Sequence, residues 1–370
     1  MITGTTNVKE KALKTAVIGL GHLHPRAYMP LFEACDRIKV VAACESENDL
    51  LSAFCKDFGL QGYASLDALL EKEALDMVAI FLPHNECEAA AVRCAKQGLH
   101  LMVEKPIAHT AAAVERIAAA AAANRVRITT GYCWRYHPVV TAMKEAIARG
   151  AIGQVVSVDA RLAAGRVERY VKGHSAWMLQ KERSGGGPMY NLGVHWIDLL
   201  HFLLEDRIDE VCAVNTRTSD VYDIEDSSVA MLKFARGPVG VLSTSYVVPD
   251  CFPNGRDLFI GIKGTRGVLS YAPGYEGEQG SSGSGQTDVL DIYSDAEVMA
   301  GARARHLGFQ LDKVTGYSGH MGKTYVENFA GMIFDQAKPM VTVEEAVDVL
   351  RVAEAIYASN ENKQWVKVAS

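Results

Sequence analysis

The chain has 370 residues, a formal net charge of −6, 49% hydrophobic residues and 22% charged residues. That length points to two domains, and the composition is that of a globular protein. The acidic balance and the lack of any basic run argue against nucleic acid or an acidic membrane surface as a partner. Lys9, Lys11 and Lys14 are followed by no apolar stretch of the signal-peptide kind, and no segment is long and apolar enough to span a bilayer. Eight scattered cysteines without a C-x-x-C pair read as reduced thiols of a cytoplasmic protein, with neither disulfides nor a metal site expected.

In chain order, Thr15 to Gly21 is an apolar strand that breaks into glycine. Further strands are expected at Lys39 to Cys44, Met77 to Phe81, His100 to Val103 and Arg127 to Thr130. Helical patterns lie between them at Asp49 to Phe58, Glu86 to Gln97 and Ala111 to Asn124. Strands alternating with helices of this length make β-α-β units and a parallel sheet. From Gly153 the pattern changes to strands at Gln154 to Leu162, Glu210 to Thr218, Ser227 to Phe234, Val239 to Tyr246, Leu258 to Ile262 and Gly267 to Tyr271. Runs of strands without intervening helices predict a mostly antiparallel sheet. A helix at Gly193 to Leu204 interrupts them, approached by a glycine run, Gly185-Gly186-Gly187, read as flexible. Residues 274–285 read as a mobile Gly/Ser-rich loop. Helices return at Lys323 to Asp335 and Val343 to Ser359, the last with a capping box of Thr342 and Glu345.

Two motifs carry chemistry. Gly19-Leu20-Gly21-His22-Leu23-His24 follows a strand and precedes a helix, the context in which two glycines let a pyrophosphate approach backbone N–H groups. Glu45 ends the second strand, where a carboxylate takes ribose hydroxyls, and Ser46-Glu47-Asn48-Asp49 offers no cation for a 2′-phosphate. NAD is therefore expected ahead of NADP. The second motif is Glu104-Lys105-Pro106 at the carboxyl end of a strand, where open parallel sheets bind ligands. By itself it also fits an ordinary strand terminus with a solvated ion pair.

Together with Gly131 to Pro138, Gly193-Val194-His195-Trp196-Ile197-Asp198 and Glu327-Asn328-Phe329, these segments resemble the Gfo/Idh/MocA family of oxidoreductases. The resemblance implies α/β architecture: an N-terminal Rossmann dinucleotide-binding domain and a C-terminal α/β domain with a large, mostly antiparallel open sheet. The expected division is a flexible tail over 1–14, an NAD-binding domain over 15–135 and a substrate and oligomerisation domain over 136–370. The C-terminal helix is expected to pack back on the first domain, and the sheet to make a homodimer or homotetramer.

The resemblance also assigns roles. Lys105, His195 and Asn191 are the expected catalytic set, with the bond before Pro106 expected to be cis. Gly19, Gly21, His22, Leu23, Glu45, Leu82, Pro83, Glu104, Lys105, Trp134 and Arg135 are expected at the cofactor. Tyr136, His174, Trp177, Asn191 and His195 are expected at a carbohydrate or cyclitol substrate. Asp198 reads as an orienting or structural acid. Three positions depart from the family pattern: Asn191 stands where Asp is frequent, Cys87 where many members have His, and His24 in the glycine turn, the last two read as affecting only cofactor packing. The expected activity is NAD-dependent hydride transfer at a secondary hydroxyl of a sugar, glycoside or cyclitol. Two other readings stay open: a glycoside-modifying enzyme that oxidises transiently with tightly held NAD, and a non-enzymatic nucleotide-sensing regulator.

Overall fold

The computed structural model describes residues 12–249, 251–252, 255–272 and 287–369. Residues 1–11 of the expected tail and the expected loop at 274–285 lie outside the described residues.

The first half alternates strand and helix. Its elements are β1 (Leu13–Ile18), α1 (Pro25–Glu33), β2 (Ile38–Cys44), α2 (Asn48–Phe58), β3 (Gln61–Tyr63), α3 (Leu66–Lys72), β4 (Met77–Ile80), α4 (Cys87–Lys96), β5 (His100–Val103), α5 (Ala111–Ala123) and β6 (Ile128–Thr130). The described strands form one parallel sheet in the order β3-β2-β1-β4-β5-β6. The strand order reverses between β1 and β4, which makes a crevice at their carboxyl ends. All of β4, and all of β5 after His100, is buried, as a sheet covered on both faces requires. Helix starts follow local chemistry. Pro25 opens α1, and the Thr110 hydroxyl caps α5 by accepting from Ala113 N.

Three expectations are corrected here. The first strand begins at Leu13, so residues 13 and 14 belong to the sheet and not to a tail. Met77 opens the fourth strand, because the sequence reading passed over β3, three half-exposed residues too short to show a period. Helix α3 was passed over with it.

The second half contains α6 (Pro138–Ala148), β7 (Val155–Ala164), α7 (Glu168–Lys172), α8 (Lys181–Ser184), a π-turn at Met189–Gly193, α9 (Val194–Leu204), β8 (Ile208–Thr216), β9 (Ser227–Phe234), β10 (Val239–Ser245), β11 (Arg256–Gly264), β12 (Gly267–Ala272), β13 (Thr287–Ser294), β14 (Ala304–Gln310), α10 (Gly319–Phe334), α11 (Val343–Asn362) and β15 (Val366–Lys367). Their sheet runs β14-β13-β12-β11-β7-β10-β9-β8-β15 among the described residues. It is antiparallel except where β10 pairs with β7 in parallel. The sheet is thus mixed, and β13, β14 and β15 extend it beyond the strands expected from sequence. Strands β9 and β10 alternate buried and exposed residues, so one face packs inward and one faces out.

The capping box forms at α11: Thr342 N donates to Glu345 Oε2 at 2.8 Å, and Glu345 N to Thr342 Oγ1 at 3.2 Å. Helix α11 lies against α5, where Ala111 N donates to Glu354 Oε1 at 2.8 Å. The glycine run before α9 is not a flexible approach. Gly187 N donates to Glu225 Oε2 at 3.0 Å and to Tyr357 Oη at 3.0 Å. A Cβ on Gly186 would stand 2.1 Å from Tyr357 Oη, so these glycines are small because the backbone is packed.

Candidate active site

Two cavities meet at the crevice. The first, of about 420 Å³, is lined by Gly19, Gly21, Glu45, Leu82, Pro83 and Trp177, among others. It is a groove along the glycine turn. Gly19 has φ +84°, and a Cβ there would come within 2.8 Å of Leu82 N, so only glycine lets β1 turn this close to the end of β4. Glu45 closes the far side. Its carboxylate accepts from Leu20 N at 2.8 Å, Gly21 N at 3.3 Å, Ser46 N at 2.7 Å and Glu47 N at 3.1 Å. Burial opposes its ionisation, but these bonds prevail and hold its pKa below the usual carboxylate range. Arg183 also lines the groove, a cation the local sequence around Glu45 does not reveal, and it is paired to Glu86 at 2.7 Å. A groove with a glycine cradle and an anionic acid at its ribose end fits an NAD molecule.

His174 and Trp177 wall this groove instead of the substrate cavity. Trp177 Nε1 donates to Gly21 O at 2.6 Å, and a Cβ on Gly21 would stand 3.2 Å from His174 O. The segment after α7 folds down onto the glycine turn, a long-range contact that side-chain type alone does not show.

The second cavity, of about 310 Å³, holds Lys105, Asn191 and His195 together. Lys105 is delivered by the end of β5 through a cis Lys105–Pro106 peptide. It is 2% exposed. Its Nζ donates to Asn191 Oδ1 at 2.5 Å and to Asn191 O at 2.9 Å. Desolvation brings its pKa down to about 8, with Glu104 pulling upward and Arg169 downward. Asn191 Nδ2 in turn donates to Tyr170 Oη at 2.6 Å. His195, on α9, is buried and is held well below the usual histidine range by desolvation, then by Lys105 and His24. Its Nδ1 has no hydrogen-bond partner among the described residues. The imidazole is thus neutral at pH 7.

His22, Leu23 and Trp134 also line this second cavity. Glu104 lies behind it, 3.3 Å from His24 Nδ1, with its pKa raised by burial against the opposing pull of Lys105. Two expected site residues are placed elsewhere. Arg135 does not line either cavity: its guanidinium donates to Asp198 at 3.0 and 2.7 Å, to Glu345 Oε1 at 2.8 Å and to Met340 O at 2.9 Å. Every face of that group is occupied by internal partners, which makes the Arg135–Asp198 pair structural. Tyr136 Oη donates to Asn328 Oδ1 at 2.9 Å, and its ring packs edge-on against Tyr325.

Sequence reasoning missed several lining residues. His24 was set aside as cofactor packing, yet its ring lines the second cavity and lies 4.1 Å from the Tyr317 ring centre. Arg169, Tyr170, Arg256 and Tyr317 reach the cavity from α7, β11 and the approach to α10. Nothing local marks them, because the sheet brings them together from distant parts of the chain. Cys87 starts α4 with its thiol 3.4 Å from Leu82 O and its pKa pushed up by burial. The neighbouring histidine is His84, bonded through Nδ1 to Ser184 O at 2.6 Å and set edge-on to Trp177.

Comparison with known proteins agrees with this geometry. Residues 13–132 match a model described as an oxidoreductase family with an NAD-binding Rossmann fold, and residues 140–270 match the GFO/IDH/MocA C-terminal domain. A D-xylose 1-dehydrogenase (NADP(+)) of Haloferax volcanii is 24% identical over 95% of this chain and 98% of its own. Another relative, from Amycolatopsis mediterranei, is 29% identical, but the match spans only 52% of each chain. The WlbA dehydrogenase of Bordetella pertussis, solved with NADH and UDP-GlcNAcA, shares the fold with a TM-score of 0.80 at 19% identity, over 98% of this chain and 99% of that one. With residues 13–132 and 140–270 both matched, the chain belongs to the Gfo/Idh/MocA family of oxidoreductases, and residues 13–132 are that family's NAD-binding Rossmann fold.

Proposed function

We propose that the protein is an NAD-dependent dehydrogenase or reductase acting at a secondary hydroxyl or carbonyl carbon of a sugar, glycoside or cyclitol. The observation that carries this reading is the buried Lys105 amine, held by Asn191 in a cavity that adjoins the dinucleotide groove. Bound nicotinamide would supply the hydride acceptor or donor. The rest of the chemistry belongs to this chain. A Lys105 pKa near 8 leaves a useful neutral fraction at physiological pH to take the hydroxyl proton. The resulting ammonium is stabilised by the two Asn191 oxygens. His195 stays neutral and lines the same cavity, where its ring can hydrogen-bond the reacting oxygen. Asn191 acts by positioning Lys105.

The D-xylose relative supports a sugar substrate. A purified sample screened with NAD⁺ against sugars, cyclitols and glycosides tests the proposal by absorbance of NADH. Turnover of a polyol supports it. Failure across the panel, in both directions, overturns it.

On the same reading the chain divides into a cofactor unit up to residue 135 and a substrate and assembly unit beyond it. Val214, Val229, Met231, Val239 and Val241 are exposed on neighbouring strands β8, β9 and β10. Such a face favours a homodimer or homotetramer built across the sheet, which light scattering would detect. A cytoplasmic location is supported by eight free cysteines, five of them buried. No helix among the described residues is long and apolar enough to cross a membrane.

A further inference from the structure

The second cavity has an electrostatic character that hydride transfer from a neutral sugar does not call for. Three cationic side chains, Lys105, Arg169 and Arg256, line it, and among the described residues no Asp or Glu does. Arg169 is partly satisfied: Nη2 donates to Tyr170 Oη at 2.6 Å, and the guanidinium stacks over the Tyr170 ring at 4.7 Å. Its Nε, however, is buried with no acceptor among the described residues. Arg256, the first residue of β11, lines the wall with no carboxylate paired to it among the described residues. Elsewhere in the protein buried or half-buried arginines have carboxylate partners: Arg135 has Asp198 and Glu345, and Arg161 has Asp257. The two cavity arginines are the contrast. Each also disfavours protonation of His24 beside them, after desolvation and Lys105, so their charges converge on one space.

Both residues are half-buried, and a guanidinium partly shielded from water with no counter-charge beside it favours a ligand that supplies the charge. A cavity of about 310 Å³ stands at the small end of ligand pockets, suited to a monosaccharide-sized molecule. We propose that the substrate is an anionic sugar derivative, a polyol bearing a carboxylate or phosphate, whose anionic group is bound by Arg169 and Arg256 while Lys105 and His195 take the reacting hydroxyl. The Arg169 and Arg256 guanidinium groups supply the charge-assisted donors. This rests on the dehydrogenase reading above and narrows its substrate class.

The test separates binding from turnover. NADH-loaded protein is titrated by calorimetry with hexonates and hexuronates, with hexose 6-phosphates, and with neutral hexoses and inositols of matching configuration. NAD⁺ reduction is measured on the same panel. An acid or phosphate is expected to bind about ten- to a hundredfold more tightly than its neutral counterpart. In Arg256→Met that ratio should collapse towards one, while Arg256→Lys restores part of it and NADH affinity stays unchanged in both. Preference for hexonates or hexuronates assigns a carboxylate, and preference for the phosphates assigns a phosphate. Selective anion binding without any turnover supports Arg169 and Arg256 as an anion site but overturns the dehydrogenase reading, and with it the assignment of the anion as substrate. Turnover of neutral sugars with no anion preference, or a preference untouched in Arg256→Met, overturns the inference and leaves the dehydrogenase reading standing.

Discussion

Asn191 Oδ1 lies 2.5 Å from Lys105 Nζ, and the same amide donates from Nδ2 to Tyr170 Oη at 2.6 Å. Both ends of the side chain are therefore committed, and the amide has one orientation. An aspartate here would also hold Lys105, but its charge would favour the ammonium and raise the lysine pKa. Asparagine holds the amine without that penalty, which is consistent with a Lys105 pKa near 8.

The pH dependence of oxidation follows from that arrangement. A proton acceptor works when neutral, so kcat/KM for alcohol oxidation is expected to rise as pH passes through about 8, and reduction to fall over the same range. His195 is already neutral there and adds no limb. In Asn191→Asp the new carboxylate favours the charged amine, so the rising limb moves to higher pH. Profiles of both proteins on the same substrate decide it, and an unmoved limb would exclude Lys105 as the titrating group.

Replacing Lys105 with Met keeps the length of the side chain and removes the amine. Turnover is expected to fall by about two to four powers of ten. The dissociation constant for NADH should change little, since Gly19, Gly21 and Glu45 line a separate groove. Stopped-flow turnover and fluorescence titration measure the two. Normal turnover would reduce Lys105 to a buried structural cation.

Cofactor choice turns on Glu45. Its carboxylate is ionised and faces the groove, so a 2′-phosphate meets negative charge. NADH is expected to bind more tightly than NADPH, and Glu45→Gln to narrow the gap by weakening NADH and relieving NADPH. Competitive titration with both nucleotides checks this. Tighter NADPH binding by the wild type would show that Arg183, although paired with Glu86, governs the choice.

The Arg135–Asp198 pair is 1% exposed on both sides. Removing Asp198 takes away two charge-assisted hydrogen bonds and leaves Arg135 with Glu345 as its remaining carboxylate, a cost of about 1.5–3 kcal/mol. Asp198→Asn is therefore expected to lower the urea midpoint markedly while the residual folded enzyme keeps its pH profile. A shifted profile with unchanged stability would instead place Asp198 in the proton pathway.

Much of this protein is written locally. The glycine turn, the acid ending β2 and Glu104-Lys105-Pro106 are each set by a strand terminus and its next few residues, and the spacing between them follows from β-α-β geometry. The capping box at Thr342 and Glu345 is likewise local chemistry. Short or edge elements such as β3 and β15 were invisible, because two or three residues carry no period. What only the tertiary structure decided is which side chains share a space. The family resemblance put Arg135 at the cofactor, but its partners lie 63 and 210 positions away. Trp177 and His174 looked like substrate walls until the chain folded back onto Gly21. Arg169 and Arg256 carry no local signal at all. They become neighbours of Lys105 because the sheet and the helix after β7 close over the end of β5, and their meaning lies in charges with no carboxylate partner among the described residues.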